Sequence, residues 1–232
     1  MTTQTGFLLS YIKYGDYDAV LQCFTIEKGF QSFFIKGIFS TKNKNRALLR
    51  PLNEICFSFS KIPQQGKMPL ITKMELVENP NFYNDVKSNT IVFFVAEFLK
   101  SILKNESETQ IFYQEILYFL NELEAGNFSA HYIFLIECLV ILGFAPLQSD
   151  GNYLDPEKGQ FINHSSQHFF DKEITELWKT ILAKDQPYST KIPSINKKNM
   201  LQSILQYYQI HISEFRTPKS LDIIMQIVEV RG

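Results

Sequence analysis

The fold is decided by residues 20–38, VLQCFTIEKGFQSFFIKGI, which predict a β-hairpin. β-branched and aromatic residues fill residues 20–26 and 33–38, and both residue types favour strands. Glu27-Lys28-Gly29-Phe30 stands between the two runs and supplies the turn. The first part of the chain is therefore expected to be built on antiparallel strands.

Outward from this hairpin, three more segments have the composition of strands: residues 6–13, 54–59 and 70–77. Five short strands within the first 80 residues predict a small barrel of the OB type. Such a barrel closes its sheet edges and binds oligonucleotides on one face. An SH3-like barrel or another small barrel has the same strand spacing, so the spacing leaves those alternatives open.

After Pro80 the apolar residues recur at helical spacing. Ser107-x-x-Gln110 reads as a capping box, Ser129 and Thr217-Pro218 as further helix starts, and Gly143 as a helix stop. We interpret the apolar stripes as the core of a helical domain; they comprise Ile111, Phe112, Ile116, Phe119, Leu120 and Leu123, then Ile174, Leu177, Trp178, Ile181 and Leu182, then Leu201, Ile204, Leu205 and Tyr208, and finally Leu221, Ile224, Met225 and Val228. The sequence thus predicts an α+β protein, with an OB-fold β-barrel domain in residues 1–80 followed by an α-helical domain in residues 81–232.

Composition places the chain among globular proteins. Its 232 residues include 21 Phe and 11 Tyr, enough to build a sizeable core. Three widely spaced cysteines form no C-x-x-C pair, which is typical of a reducing compartment. The N-terminus lacks the pattern of a signal peptide, and the apolar stretches fall short of the about 18 residues that a membrane span needs. We expect a cytoplasmic protein that does not enter membranes.

The search for catalytic motifs indicates no enzyme and no cofactor. The sequence contains no Walker-type P-loop, no G-x-G-x-x-G and no G-x-S-x-G. His164 and His168 have a spacing that metal ligands use, but no cysteine lies near them, so we interpret them as surface histidines without a metal. No nucleophile, base and orienting group fall into a recognisable arrangement.

One positive signal is a run of cations in the basic front half. Residues 1–80 carry ten Lys or Arg against six Asp or Glu, whereas the rest of the chain carries 13 against 18. Six cations occur without an intervening acid: Lys28, Lys36, Lys42, Lys44, Arg46 and Arg50. The polar, Asn-rich stretch at residues 40–46 predicts a loop that presents them to nucleic-acid phosphates, with Asn supplying further donors.

The aromatic residues beside this run have two interpretations. Phe33, Phe34 and Phe39 are expected in the barrel core, although an exposed one would stack on bases. The cations alone do not distinguish DNA from structured RNA, because phosphate neutralisation looks alike in both. A protein-interaction scaffold with a merely solvated basic loop is the remaining alternative.

The order of short motifs resembles the RecO family of bacterial recombination mediators. Residues 7–18, FLLSYIKYGDYD, are similar to that family's first strand and its YGE-x-D turn, and residues 24–29, FTIEKG, to its FT-x-x-x-G. Lys36-Gly37 with the basic loop and residues 49–52, LRPL, follow in the family's order. In the second half, residues 142–146, LGFAP, and 157–161, EKGQF, resemble LGY-x-P and E-x-G-x-F, and Lys219-Ser220 resembles part of its LKSR segment.

Two departures from the family pattern affect what the resemblance implies. Many members carry four zinc-binding cysteines after the Leu-Gly motif, but residues 148–168 contain none, so no zinc is implied. Leu221 stands where an arginine would follow Lys219-Ser220. Without a metal, we expect Phe161, Phe169 and Phe170 to anchor this segment by packing.

The resemblance implies an OB-fold that binds single- and double-stranded DNA and anneals complementary strands without nucleotide hydrolysis. It also implies association with RecR and with the acidic C-terminal tail of the single-stranded-DNA-binding protein, to assist RecA loading. We expect the tail to bind an apolar groove around residues 132–142 and the later helices. The expected DNA contacts are Lys28, Lys36, Lys42, Lys44, Arg46, Arg50 and Lys219.

Overall fold

The computed structural model describes residues 2–59, 68–78, 82–106, 108–164 and 167–229. Its contacts divide the chain into two compact units, Met1–Tyr113 and Gln114–Gly232. The first unit thus includes helical residues that lie beyond the domain boundary we predict at residue 80, and that boundary stays a prediction. Ser107 of the predicted capping box lies outside the described residues, as do Lys61 and Lys67.

The first unit contains a closed five-stranded barrel, as predicted. Its strands are β1 (Thr2–Tyr14), β2 (Asp18–Thr25), β3 (Gly29–Ile35), β4 (Glu54–Phe59) and β5 (Leu70–Leu76). The hydrogen-bonded order is β1-β2-β3-β5-β4, and β4 closes the barrel on β1. All pairs are antiparallel except β3 with β5. This architecture is OB-like and confirms the expected fold class.

Strand alternation fills the barrel with apolar side chains. Leu21 and Cys23 of β2 face inward and are fully buried. The ring of Phe33 stacks on Phe57 at 5.1 Å and on Phe59 at 5.5 Å, centroid to centroid. Phe33 is therefore a core residue, the first of the two interpretations offered for it.

Helical residues of the same unit cover the outer face of β1. The helix α1 (Val86–Ile102) packs on this strand, and α2 (Thr109–Glu124) begins nearby. Phe7 packs its ring 4.6 Å from Tyr113, and the Tyr113 hydroxyl donates a 2.5 Å hydrogen bond to Glu54. Burial is the main cause that raises the pKa of the Tyr113 hydroxyl well above its usual value, and the Glu54 carboxylate raises it further. The hydroxyl therefore stays protonated.

The second unit is mainly helical, as predicted. After α2 come α3 (Ala130–Ile141), α4 (Lys172–Ala183), α5 (Lys197–His211) and α6 (Leu221–Glu229). Nine of the twelve residues of α3 are buried, so this helix forms the centre of the unit. The Trp178 Nε1–H donates to Ser203 Oγ at 2.9 Å and ties α4 to α5. The helix we predict from Thr217-Pro218 begins instead at Leu221.

One predicted boundary in this unit has a clear local cause. Gly143 ends α3 in the left-handed region at φ 74°, and Phe144 N–H bonds back to Leu139 at 2.9 Å, which is a Schellman closure. A short hairpin, β6 (Tyr153–Asp155) with β7 (Gln160–Ile162), follows where no strand was predicted. No helix within the described ranges is long and apolar enough to cross a bilayer.

Candidate nucleic-acid interface

The basic loop, which we define as residues 36–50, lies between β3 and β4. It carries five of the predicted cations. It contains a single-turn 3-10 helix, Lys44–Leu48. All five of these side chains are exposed to solvent: Lys36, Lys42, Lys44, Arg46 and Arg50. Across the residues that the structure describes, none of them forms an ion pair; the ion pairs there are Lys73–Glu75 and Lys158–Asp155. Their charges therefore remain available to an anion.

The basic loop is held in one conformation by its own hydrogen bonds. Ser40 N–H donates to Gly37 O at 3.1 Å, and Asn43 N–H donates to Ser40 O at 3.0 Å. The Asn43 side chain joins both ends of this turn, donating to Gly37 O at 3.0 Å and accepting from Asn45 N–H at 2.9 Å. The Asn43 amide thus shapes the loop, and the expectation that loop asparagines supply donors to phosphates stays a prediction.

The end of the basic loop is anchored on the barrel. Leu52 N–H donates to Leu8 O at 2.7 Å, and Leu8 N–H donates to Asn53 O at 3.0 Å. Leu52 has φ 59°, a left-handed conformation that a non-glycine residue rarely adopts, and its buried side chain offsets that strain. Arg50 lies with its guanidinium 5.0 Å from the Tyr83 ring, a cation–π contact. This anchoring fixes where the loop presents its charges.

The structure separates Lys28 from the other predicted contacts. Lys28 lies in the β2–β3 turn, whereas Lys36 follows the opposite end of β3. The seven residues of β3 set the two apart by about 23 Å, at roughly 3.3 Å per residue. The acid-free run of the sequence is thus divided by β3, and only the cations of the basic loop lie on one surface. Lys219 is exposed in the other unit, before α6.

One acid lies at the start of the basic loop. The Asp18 carboxylate accepts a 2.8 Å hydrogen bond from Gly37 N–H, next to Lys36. Gly37 has φ 66°, which turns the chain out of β3 and lets the loop begin. The carboxylate therefore orders the turn while offsetting part of the positive potential near Lys36.

An aromatic cluster formed where β1 meets the basic loop was not predicted from the sequence. We define it as Tyr11, Lys13, Phe39 and Arg46. The Phe39 ring lies 5.8 Å from the Tyr11 ring, and the Arg46 and Lys13 charges approach it at 5.6 and 5.9 Å. Phe39 is half-buried against the barrel core, whereas the Tyr11 side chain is 44% exposed. The available signal was Tyr and Lys at alternate positions of a strand end next to a turn.

The segment at residues 148–168 offers no fit for zinc. It holds no cysteine, and no group of three or more potential ligand side chains occurs in the parts of the chain that the structure describes. Packing holds the hairpin instead, since Phe161 and Phe170 are buried while Phe169 is half-buried. Ser149 Oγ adds hydrogen bonds to both the N–H and the O of Phe161.

The second unit carries its own cavity, of about 470 Å³, between the β6–β7 hairpin and α4. Its walls combine apolar and polar side chains: Gln148, Ser149, Asp150, Phe161, Lys179, Leu182 and Ala183. Lys179 lies 5.1 Å from the Phe161 ring and donates to Gly151 O. Most of α3 is buried, and the cavity is lined by α4, one of the later helices to which the expected groove also extended. The groove for the tail stays a prediction.

Two half-buried acids, Glu115 and Glu137, lie elsewhere in the second unit. The Tyr188 hydroxyl donates to Glu115 at 2.5 Å, and burial raises the pKa of Glu115 despite this hydrogen bond. Burial, together with the Glu115 charge, raises the pKa of Glu137 to about 7. We therefore expect the stability of the second unit to depend on pH near neutrality.

Comparison with known proteins agrees with this geometry. Residues 1–80 match the family model described as "Recombination protein O N terminal". The DNA repair protein RecO of Flavobacterium psychrophilum is 25% identical, and the match covers 96% of this chain and 97% of that protein. The DNA repair protein RecO of Porphyromonas gingivalis strain ATCC 33277 is 26% identical, over 97% of this chain and 98% of that protein. The DNA repair protein RecO of Azobacteroides pseudotrichonymphae is 28% identical, over 63% of this chain and 64% of that protein. The barrel-forming residues thus match the RecO N-terminal family model, and nearly the whole chain is similar to proteins named DNA repair protein RecO.

Proposed function

We propose that this protein acts in DNA repair as a non-enzymatic recombination mediator that binds and anneals DNA. The observation that carries the proposal is the basic loop, an exposed and internally hydrogen-bonded run of cations on a closed OB-like barrel. Its relatives bear the name DNA repair protein RecO, which supports the same role here. We further propose that the protein works in the cytoplasm.

The proposed mechanism needs only electrostatics and a rigid loop. Two complementary strands repel each other through their phosphates, and Lys42, Lys44, Arg46 and Arg50 would neutralise phosphates on a bound strand. Neutralisation lowers the cost of bringing a second strand alongside, so base pairing proceeds without nucleotide hydrolysis. Because phosphate contacts carry no sequence information, single and double strands of any sequence are expected to bind.

The helical unit is proposed to bind the protein partners. A mediator must hold DNA and the proteins that coat or load it at the same time, so separate surfaces are needed. The cavity beside α4 supports a site for the acidic tail of the single-stranded-DNA-binding protein, since Leu182 and Phe161 are apolar walls and Lys179 is a cation beside them. Asp150 at the same cavity opposes acids, so a modest affinity is expected. RecR association and assistance to RecA loading complete the proposal.

A strand-annealing assay with purified protein, without ATP or added metal, tests the proposed function. Two complementary labelled oligonucleotides should anneal faster with the protein than without it, and high salt should abolish the acceleration. Annealing at the spontaneous rate, with DNA bound at low salt, would reject the annealing role and retain DNA binding. The full chain with Lys179→Ala should lose affinity for the tail peptide and keep annealing activity.

Two alternatives are separated by equilibrium binding. An RNA-binding module would bind single-stranded RNA more tightly than DNA of the same sequence in direct competition. A protein-interaction scaffold would bind neither nucleic acid at low salt, where phosphate contacts are strongest.

A further inference from the structure

We propose that Tyr11, supported by the aromatic cluster, stacks on an unpaired base and so gives the barrel a preference for single strands. This inference rests on the proposed DNA binding and names the part of the DNA that the surface next to the basic loop recognises. The ligand class is an unpaired nucleobase on a strand whose phosphates meet the basic loop.

The position of Tyr11 in the barrel exposes it. β1 pairs with β4 only over residues 2–7, but its pairing with β2 continues to Tyr14. Beyond Phe7, β1 is therefore no longer paired with β4, but it stays paired with β2, which in turn pairs with β3. Tyr11 and Lys13 alternate onto one face of this part of β1, and both approach Phe39. The opposite face carries Tyr14, whose ring meets Phe34 edge-on at 5.6 Å.

The environment of the Tyr11 ring suits a base rather than a protein side chain. Phe39 packs on the barrel core and fixes the ring beside it, so Tyr11 has a rigid aromatic support. The charged groups of Arg46 and Lys13 lie over the Phe39 ring, and therefore near a base that stacks on Tyr11. A nucleotide offers both a π-face and a phosphate, and this cluster offers both complements.

Duplex DNA does not present what the cluster recognises, because its bases are stacked and paired in the helix interior. The basic loop binds either form through phosphates, whereas Tyr11 gains a contact only from a single strand. The cluster therefore predicts discrimination between the two forms that the loop charges alone do not provide.

Tyr11→Leu tests the inference in the full chain. With a single-stranded thymidine oligonucleotide of roughly 16 nucleotides, we expect about tenfold weaker binding, within the range for one stacked base. The salt dependence should be unchanged because no charge is lost, and duplex affinity should stay within about twofold. Tyr11→Phe should restore single-strand binding. Tyr118→Leu, a tyrosine of similar exposure in the second unit, is the matched control and should bind like the natural protein.

Tyr11→Trp gives a direct reading of the contact. The chain has one tryptophan, Trp178, which is fully buried in the second unit, so added emission reports on position 11. Single-stranded DNA should quench this emission, and an oligonucleotide of abasic sites with the same phosphates should not. Single-strand binding by the natural protein with no loss in Tyr11→Leu and no quenching would overturn the stacking inference alone. Failure of the natural protein to bind single-stranded DNA at low salt would overturn the inference together with the proposed function.

Discussion

Asn43→Ala separates the shape of the basic loop from its charge. The Asn43 amide makes two hydrogen bonds, to Gly37 O at 3.0 Å and from Asn45 N–H at 2.9 Å. Each is worth about 0.5–1.5 kcal/mol net, and Asn43 is only half-buried, so water replaces part of what is lost. We expect the native loop conformation to lose about 1 kcal/mol. All five cations remain in the variant.

The loss should appear as weaker binding at unchanged salt dependence. If the loop binds phosphates in its ordered form, a loss of about 1 kcal/mol raises Kd by up to about fivefold, and the full factor applies where the ordered form becomes the minority. Fluorescence anisotropy with a labelled single strand over a salt series measures both quantities, and hydrogen exchange should speed up at the amides of residues 40–49. Asn152→Ala, the same change at an exposed position of the second unit, should alter neither. Faster exchange with an unchanged Kd would show that loop order contributes nothing to binding.

Three further predictions concern stability and composition. Burial raises the pKa of Glu137 in the folded protein to about 7, so between pH 4.5 and 7 the native state binds more protons than the unfolded state. The free energy of unfolding therefore falls as pH rises through this window. Glu137→Gln should remove about 1 kcal/mol of this pH-dependent loss, after allowance for solvent screening, as measured by urea unfolding at pH 5 and 8. Phe33→Ala empties the fully buried stack in the barrel and should cost about 3–5 kcal/mol of unfolding free energy, and a loss below 1 kcal/mol would contradict the packing described. Protein purified without chelator should contain far less than one zinc per chain, and a stoichiometric zinc held by His164 and His168 would refute the packing account of residues 148–168.

The barrel was predictable because its strands are short-range patterns. Alternation and β-branched or aromatic composition located all five strands, and Gly37 explains why β3 ends at Ile35 rather than continuing to Ile38. The predicted helix at Thr217-Pro218 begins later, at Leu221, because the cap signal at a single position does not fix where hydrogen bonding starts. Strand β6 and strand β7 are three residues each, too short for periodicity to reveal.

The site was predictable in its charges and not in its geometry. Lys28 is close to the basic loop in the sequence, and we therefore grouped the two. In the fold they lie apart, because Lys28 precedes one end of β3 and Lys36 follows the other end. Only the folded turn shows that the Asn43 amide bonds to Gly37 O and Asn45 N–H within the loop. Tyr11 meets Phe39 across 28 positions of sequence, a contact that no local pattern contains.

The salt dependence of single-strand binding by Lys42→Ala/Lys44→Ala/Arg46→Ala tests the central claim most directly. At about 0.7 units per phosphate contact, loss of three contacts should flatten the slope of log affinity against log salt by about two units. Lys172→Ala/Lys184→Ala/Lys191→Ala removes the same charge from exposed positions of the second unit and should leave the slope unchanged. An unchanged slope in the folded loop variant, or equal flattening in both variants, would contradict the assignment of the basic loop as the DNA-binding surface.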